Sequence, residues 1–240
     1  MDVDYSVVIP AYNEAAWLPK TLAALKKAMA HTTLSGEIIV TDNNSTDDTA
    51  ALARDAGAKV VFEPHNQISR ARNAGARQAR GRYLLFVDAD TIITPQLLCA
   101  ALENLQAGTC CGGGAVVQLD GGMNRAAHVV LRVWTWLSVR LHLAAGCFIY
   151  CLRSDFKKLG GFSESVYASE EIWFSRCLHR LGKTRSQPFC VITKYPALSS
   201  GRKLAWFSVR KQLLLVLMLT LFPFLLRYKR YCGFWYDRPQ

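Results

Sequence analysis

Several familiar fingerprints are missing from this chain. No G-x-G-x-x-G follows its first apolar strand pattern, so the dinucleotide-binding signature is absent, and no G-x-x-x-x-G-K-[ST] forms a phosphate loop. The eight cysteines, among them Cys110, Cys111, Cys147 and Cys151, show no C-x-x-C pairing of the zinc-site kind. They are expected to be reduced and mostly buried, as in the cytosol. Met1-Asp2-Val3-Asp4 is acidic and enters a strand pattern at once, unlike a secretory signal. The longest apolar run, Leu213 to Leu226, is short of the roughly 20 residues a spanning helix needs and contains Pro223, a helix breaker. No internal repeat or low-complexity linker divides the 240 residues, which fit one domain, or one domain with an appendage.

Acidic residues are also scarce, 18 against 29 Lys and Arg, for a net charge of +11. The imbalance is local. Residues 201–240 hold eight Lys/Arg and one acid, Asp237. Basic residues at both ends of an apolar run, with Trp206 and Trp235 nearby, suit a helix lying on an anionic cytoplasmic leaflet. Packing on the domain or a dimer contact is the alternative. A second basic stretch, Arg70 to Arg82, has five Arg and no acid and suits phosphates. Its arginines are not interleaved with aromatics, which argues against a nucleic-acid binder.

What is present is strand–helix alternation. Tyr5–Pro10, Glu37–Thr41, Lys59–Phe62 and Tyr83–Val87 read as strands. Asn13 is placed to cap a helix running to about Met29. Gly57 stops a short helix, a third helix covers roughly 69–80, and Thr94-Pro95 opens a fourth that Gly108 closes. This spacing implies βαβ units and a parallel sheet. Tyr83–Val87 is apolar throughout, as in a strand buried on both faces, and runs into Asp88 and Asp90. Ligands of open α/β sheets bind outside the carboxyl ends of the strands. Two aspartates there are hard oxygen ligands for Mg²⁺ or Mn²⁺ brought in with a diphosphate; otherwise they cap a turn.

Further on, Gly112-Gly113-Gly114 reads as a loose turn before a strand at Ala115–Leu119, or as a close backbone approach. Residues 126–143 read as a helix that covers the sheet or faces a membrane, with Arg132 and Arg140 able to snorkel. Ala145–Tyr150 reads as a strand.

Four stretches in order resemble the family-two glycosyltransferases: Val7-Val8-Ile9-Pro10-Ala11-Tyr12-Asn13-Glu14, Asp42 to Thr49, Ala71-Arg72-Asn73-Ala74-Gly75, and Phe86-Val87-Asp88-Ala89-Asp90. The resemblance covers residues 4–107 densely and 144–182 more loosely. It implies a single mixed, mostly parallel α/β sheet flanked by helices, the Rossmann-like A-type glycosyltransferase fold. The domain would span 1–200, with a nucleotide-sugar half (1–107), an acceptor half (108–200) and a helical tail (201–240). It further implies that Pro10, Ala11 and Tyr12 line a base pocket, that Glu14 lies near the ribose, and that Asp42 contacts the base. Asn43 stands where the family often has a second Asp. Arg70, Arg72 and Asn73 match the helix before the central strand, with Arg70 or Arg72 reaching the base or diphosphate. Asp90 is expected to bind Mn²⁺ or Mg²⁺, with Asp88 beside the ribose or a metal water.

Gly160-Gly161-Phe162 resembles the family's turn before the catalytic acid. By position that acid is Glu171, with Glu170 the alternative, where the family usually has Glu-Asp; both also fit an ordinary acidic helix start. His179 is a candidate metal ligand or an ordinary helix residue. The implied reaction moves a sugar from a nucleoside diphosphate sugar, UDP being the commonest carrier, to an acceptor hydroxyl or phosphate with inversion. The tail suggests a lipid-linked acceptor and a peripheral place on the cytoplasmic face of a membrane. The competing readings are a retaining transferase, a nucleotidyltransferase lacking its usual glycine-rich loop, and a non-catalytic nucleotide-binding membrane protein.

Overall fold

The computed structural model describes residues 3–120, 125–202 and 222–236. In chain order the elements are β1 (Tyr5–Ala11), α1 (Leu18–Met29), β2 (Gly36–Asp42), α2 (Thr49–Asp55), β3 (Lys59–Phe62), α3 (Ile68–Gln78), β4 (Tyr83–Val87), β5 (Thr91–Ile92) and α4 (Pro95–Gln106). Next come β6 (Gly112–Asp120), α5 (Arg125–Leu141), β7 (Phe148–Leu152), α6 (Arg153–Lys158), α7 (Glu170–Lys183) and β8 (Phe189–Ser200). Two 3-10 turns, Pro223–Arg227 and Lys229–Tyr231, lead to a last short helix, α8 (Gly233–Tyr236). The expected tail elements at Trp206, Arg210, Lys211 and from Leu213 to residue 221 lie outside the described residues.

The strands form one sheet in the order β3-β2-β1-β4-β7-β6-β8-β5. β3, β2, β1 and β4 are parallel. β7 is antiparallel to both β4 and β6, and β8 runs parallel to β6. Side chains alternate across each strand, and here both sides are buried. Val7, Ile9, Leu85 and Val87 pack under α1 and α4 with Leu18, Leu22, Leu97 and Leu98. Val8, Leu84 and Phe86 pack on the other face with Phe156, Phe162, Phe174 and Leu178 from α6, α7 and the turn between them. That double burial is why β4 reads as an uninterrupted apolar run.

Local boundaries follow the expected chemistry in places. Thr94 Oγ1 accepts from the Leu97 N–H at 3.2 Å and caps α4, with Pro95 in its first turn. Gly57, just past α2, has φ +72°. Asn13 does not cap α1. It sits at φ 51° four residues too early, and its side-chain carbonyl accepts from the Thr46 N–H at 2.7 Å, tying the loop after β1 to the loop after β2.

The glycine triplet is not a turn. It starts β6, and a Cβ on Gly113 would lie 1.7 Å from the Cys190 carbonyl oxygen of β8. The strand expected at Ala145–Tyr150 begins at Phe148, leaving 145–147 as a loop, and β5 and β8 have no counterpart among the expected strands.

Three features of this topology converge on one edge. The parallel half places the carboxyl ends of β1, β2 and β4 side by side. Antiparallel β7 opposes Phe148 to Val87, so the loop before it meets the residues after β4; the Asp88 N–H donates to the Cys147 carbonyl at 3.2 Å. The last residues of β8 pair with β5, and the Ser200 N–H donates to the Asp90 carbonyl at 3.2 Å.

Candidate active site

At that edge lies a cleft of about 580 Å³, counting space open to solvent, lined by Pro10 and Ala11 at the end of β1, Tyr12 just after it, Glu14, Asn43, and Asp88 to Asp90 after β4. Asn66, Ile68 and Tyr236 complete the wall. Seven of the residues expected at a donor site therefore meet in one place: Pro10, Ala11, Tyr12, Glu14, Asn43, Asp88 and Asp90.

The others have different surroundings. Asp42 does not line the cleft: its Oδ1 accepts from the Ser45 N–H at 3.0 Å and turns the loop on itself. Asn43 holds the next loop. Its Nδ2 donates to the carbonyls of Glu63 (3.1 Å) and His65 (2.6 Å), and its Oδ1 accepts from the Gln67 N–H at 3.0 Å. An aspartate lacks the N–H donors for those two carbonyls, so the asparagine is what this loop requires. Arg70 faces away, donating from Nε to Gln67 Oε1 at 3.0 Å and pairing with Glu164 at 3.1 Å. Asn73 clamps the Gly-Gly-Phe turn. Its Oδ1 accepts from the Phe162 N–H, and its Nδ2 donates to the Phe162 carbonyl, each at 2.9 Å. Gly161 there has φ +79°, a conformation few side chains tolerate.

Arg72 is not a free phosphate ligand but the buried joint between cleft and acidic helix. Its side chain is 1% exposed. It donates to Glu170 Oε1 at 2.5 Å, Asp88 Oδ1 at 2.9 Å and the Gly146 carbonyl at 2.7 Å. Phe162 lies 5.3 Å from the guanidinium, edge-on to Phe86. Burial opposes the charge, but Asp88, Glu170 and Glu171 outweigh it and hold Arg72 above its ordinary pKa.

The two glutamates begin α7, whose first residue follows Ser169 at φ 62°, a non-glycine in the left-handed region. Glu170 is buried; desolvation raises its carboxyl against the pull of Arg72. Glu171 is half-buried, and a Cβ added at Gly146 would lie 3.6 Å from its Cδ. Burial first, then the Glu170 charge, push Glu171 up to about 8. Ser175 fixes this end of α7 by donating to the Glu171 carbonyl at 2.7 Å and accepting from the Ala144 N–H at 3.1 Å. Two neighbouring carboxyls thus have unequal surroundings: Glu170 bound to Arg72, Glu171 poised near neutral pH.

His179 is elsewhere. It stacks on His142 at 4.6 Å, and His142 bonds the Phe189 carbonyl at the opposite end of β8 from Ser200. The register sets β6 alongside from Gly112 to Asp120, a span of roughly 25 Å at about 3.3 Å per residue. It is therefore no partner for Asp90.

Among the described residues no group of three or more His, Cys, Asp or Glu gathers around an ion-sized space. The carboxylates of Asp88 and Asp90 would need phosphate oxygens to complete a shell. That fits a cation held by one or two carboxylates plus a substrate diphosphate.

Two residues at the cleft carry no motif signal. Arg202, just after β8, donates from Nη2 to Glu14 Oε1 (2.6 Å) and Oε2 (2.7 Å) and lies 3.0 Å from Asp90 Oδ2. Tyr236 donates its hydroxyl to the Tyr167 carbonyl at 2.8 Å and accepts from the Ile68 N–H at 3.3 Å. Its segment packs through Leu226 and Cys232 on Val166 and Ala168, just before α7. Both belong to the region read as a separate tail. A pairing of Asp90 with an arginine 112 positions later is invisible to any local pattern.

The family described as Glycosyl transferase family 2 matches residues 6–160. The chain is 38% identical over 104 residues to the validoxylamine A glucosyltransferase of Streptomyces hygroscopicus subsp. jinggangensis, covering 40% of this chain and 24% of that protein. It is 40% identical over 85 residues to an uncharacterised glycosyltransferase of Mycobacterium bovis, covering 35% of this chain and 36% of the relative. It thus spans little more than a third, or less, of these relatives. Among solved structures it resembles S. aureus TarS 1-349 in complex with UDP (TM-score 0.64, 18% identity, 82% of this chain, 60% of that one). It also resembles the mannosyltransferase PcManGT of Pyrobaculum calidifontis in complex with GDP-Man and Mn²⁺ (TM-score 0.63, 19% identity, 86% and 60%). At such identities the likeness to both structures is one of fold, the A-type glycosyltransferase fold.

Proposed function

Because the chain belongs to glycosyl transferase family 2, we propose that it transfers a sugar from a nucleoside diphosphate sugar to an acceptor oxygen, with a divalent cation and with inversion. The observation that carries this reading is the connection from Asp88, which lines the cleft with Asp90, through Arg72 to Glu170, the neighbour of Glu171 at the start of α7. In this reading Tyr12 and the Asn43 loop hold the base, and Glu14 serves the ribose. Asp90, with Asp88 beside it, would hold Mn²⁺ or Mg²⁺, which neutralises charge developing on the leaving diphosphate. The binding of Mn²⁺ by PcManGT and of UDP by TarS supports the choice of ligands.

Glu171 takes the proton of the acceptor hydroxyl as that oxygen bonds to the anomeric carbon. The bond from the anomeric carbon to the β-phosphate oxygen breaks, and its electron pair leaves on the nucleoside diphosphate. Glu170 stays paired with Arg72 and fixes the start of α7.

A lipid-linked acceptor and peripheral attachment to a cytoplasmic leaflet belong to the same proposal. Their support is exposed Val133, Trp136 and Leu141 on α5, and exposed Phe222, Phe224 and Tyr228 among Arg227, Lys229 and Arg230. No helix among the described residues is long and apolar enough to cross a membrane. Flotation with anionic vesicles tests the attachment, which is wrong if the protein stays at the bottom of the gradient.

The transferase reading is tested by incubating protein, Mn²⁺ and UDP-, GDP- or dTDP-sugars and measuring nucleoside diphosphate release, with Asp90→Ala and Glu171→Gln alongside. Release from one donor, abolished in Asp90→Ala, is expected. Equal release by wild type and Asp90→Ala would refute it.

A further inference from the structure

The strongest unexplained feature of the cleft is Arg202. Its side chain is 12% exposed, and one Nη2 serves Glu14 and Asp90, the residues assigned to ribose and metal. Its Cζ lies 5.2 Å from the Trp17 ring. The placement is built into the fold. β8 pairs with β5 directly after Asp90, and the Ser200 N–H is bonded to the Asp90 carbonyl, so the residue two positions on must emerge at the cleft.

Two mostly buried carboxylates on separate loops repel each other, and a cation between them offsets that repulsion. Arg202 supplies it while the cleft holds no donor. A divalent ion on Asp90 would supply it once donor arrives, and two cations then compete for one carboxylate. The guanidinium is also a planar fork suited to phosphate oxygens.

We propose, on the donor-site reading above, that Arg202 is an exchangeable counter-ion. It occupies Asp90 in the empty cleft, is displaced by the cation of a metal–nucleoside diphosphate, and turns onto the diphosphate. Metal alone then binds poorly, because it must displace an arginine that gains no new partner in exchange. Metal with nucleotide binds well, because the displaced guanidinium gains an anion.

The test is Mn²⁺ binding followed by electron paramagnetic resonance, without and with UDP or GDP, on the intact chain. Wild type is expected to bind Mn²⁺ at least tenfold more tightly with nucleotide than without. In Arg202→Ala, Mn²⁺ alone should bind at least fivefold more tightly, while nucleotide in saturating Mn²⁺ binds at least fivefold more weakly. Loss of positive charge by itself would give the same two signs, so Arg202→Lys, which keeps the charge without the planar fork, is measured alongside. In Arg202→Lys, which also serves if the alanine variant does not fold, loss of the fork should weaken nucleotide binding in saturating Mn²⁺ at least threefold; wild-type nucleotide affinity there would overturn the turn onto the diphosphate. Unchanged Mn²⁺ affinity without nucleotide in a folded variant would overturn the exchange and leave a structural ion pair. Failure of wild type to bind any metal–nucleotide pair would overturn the donor site itself, and the exchange with it.

Discussion

Replacing Arg72 by methionine should be among the costliest single changes in the protein. The guanidinium is 1% exposed and donates to Glu170, Asp88 and the Gly146 carbonyl. Methionine fills comparable space but strands Glu170, 3% exposed at its side chain, and removes the partner of the 25% exposed Asp88. Breaking a buried pair by removing one member costs about 3–5 kcal/mol. At roughly 2–4 °C per kcal/mol for a chain of this size, melting falls by about 10 °C. Adding Glu170→Gln neutralises the stranded carboxylate, so the double variant should recover about 1–2 kcal/mol relative to additivity, within the range for groups in direct contact. Urea unfolding of wild type, both single variants and the double variant measures this. A loss below about 1 kcal/mol for Arg72→Met, or strict additivity, would show that Arg72 does not hold the two halves of the site together.

Four further outcomes rest on particular residues. If Glu171 is the base, kcat/KM rises with pH through an inflection near its value of about 8 and is lost in Glu171→Gln; a retaining enzyme would keep much of its rate in that variant. The same group sets a stability slope. Folded Glu171 keeps its proton up to about 8 whereas the unfolded chain releases it near 4.5, so the native state binds more protons in between and stability falls as pH rises through that window. Glu171→Gln should flatten this decline in a series of melts, and an unchanged slope would assign it to other groups. Asn43→Asp loses the donors to the carbonyls of Glu63 and His65, so it should weaken nucleotide binding and cost about 1–3 kcal/mol, read from calorimetry and melting. Gly113→Ala would place its Cβ 1.7 Å from the Cys190 carbonyl oxygen and should unfold the β6–β8 edge, whereas Gly57→Ala, with open space but φ +72°, should cost only about 1 kcal/mol; equal losses on urea titration would contradict the packing described.

The parts legible in the sequence were those whose cause is local. β4 could be read because burial on both faces leaves no polar position between Tyr83 and Val87, and Thr94-Pro95 because a cap needs only its own turn. Asp88 and Asp90 were found because the end of a buried strand projects its next residues into the cleft. Asn13 misled because a capping residue and a loop-tying residue look alike until the partner, here Thr46, is known. The glycine triplet misled for the same reason: its crowding comes from Cys190, 77 positions away. The antiparallel insertion of β7 between β4 and β6 has no signature within β7, yet it brings Gly146 to Arg72. Arg72 looked like a phosphate ligand because its three acceptors lie 16, 74 and 98 residues downstream. Arg202 and Tyr236 are invisible to composition, which reads their region only as a basic, apolar tail for a membrane surface or for packing on the domain.

The central claim is that the cleft beside Asp90 binds a metal–nucleoside diphosphate. Thermal melting with Mn²⁺ and each of UDP, GDP, dTDP and ADP, for wild type and Asp90→Ala, tests it most directly, because a ligand bound at 100 times its Kd adds about 2.7 kcal/mol to the native state. The account predicts a metal-dependent rise for one nucleotide in wild type and none in Asp90→Ala. A folded wild-type protein that no nucleotide stabilises, or a rise that survives in Asp90→Ala, would contradict it.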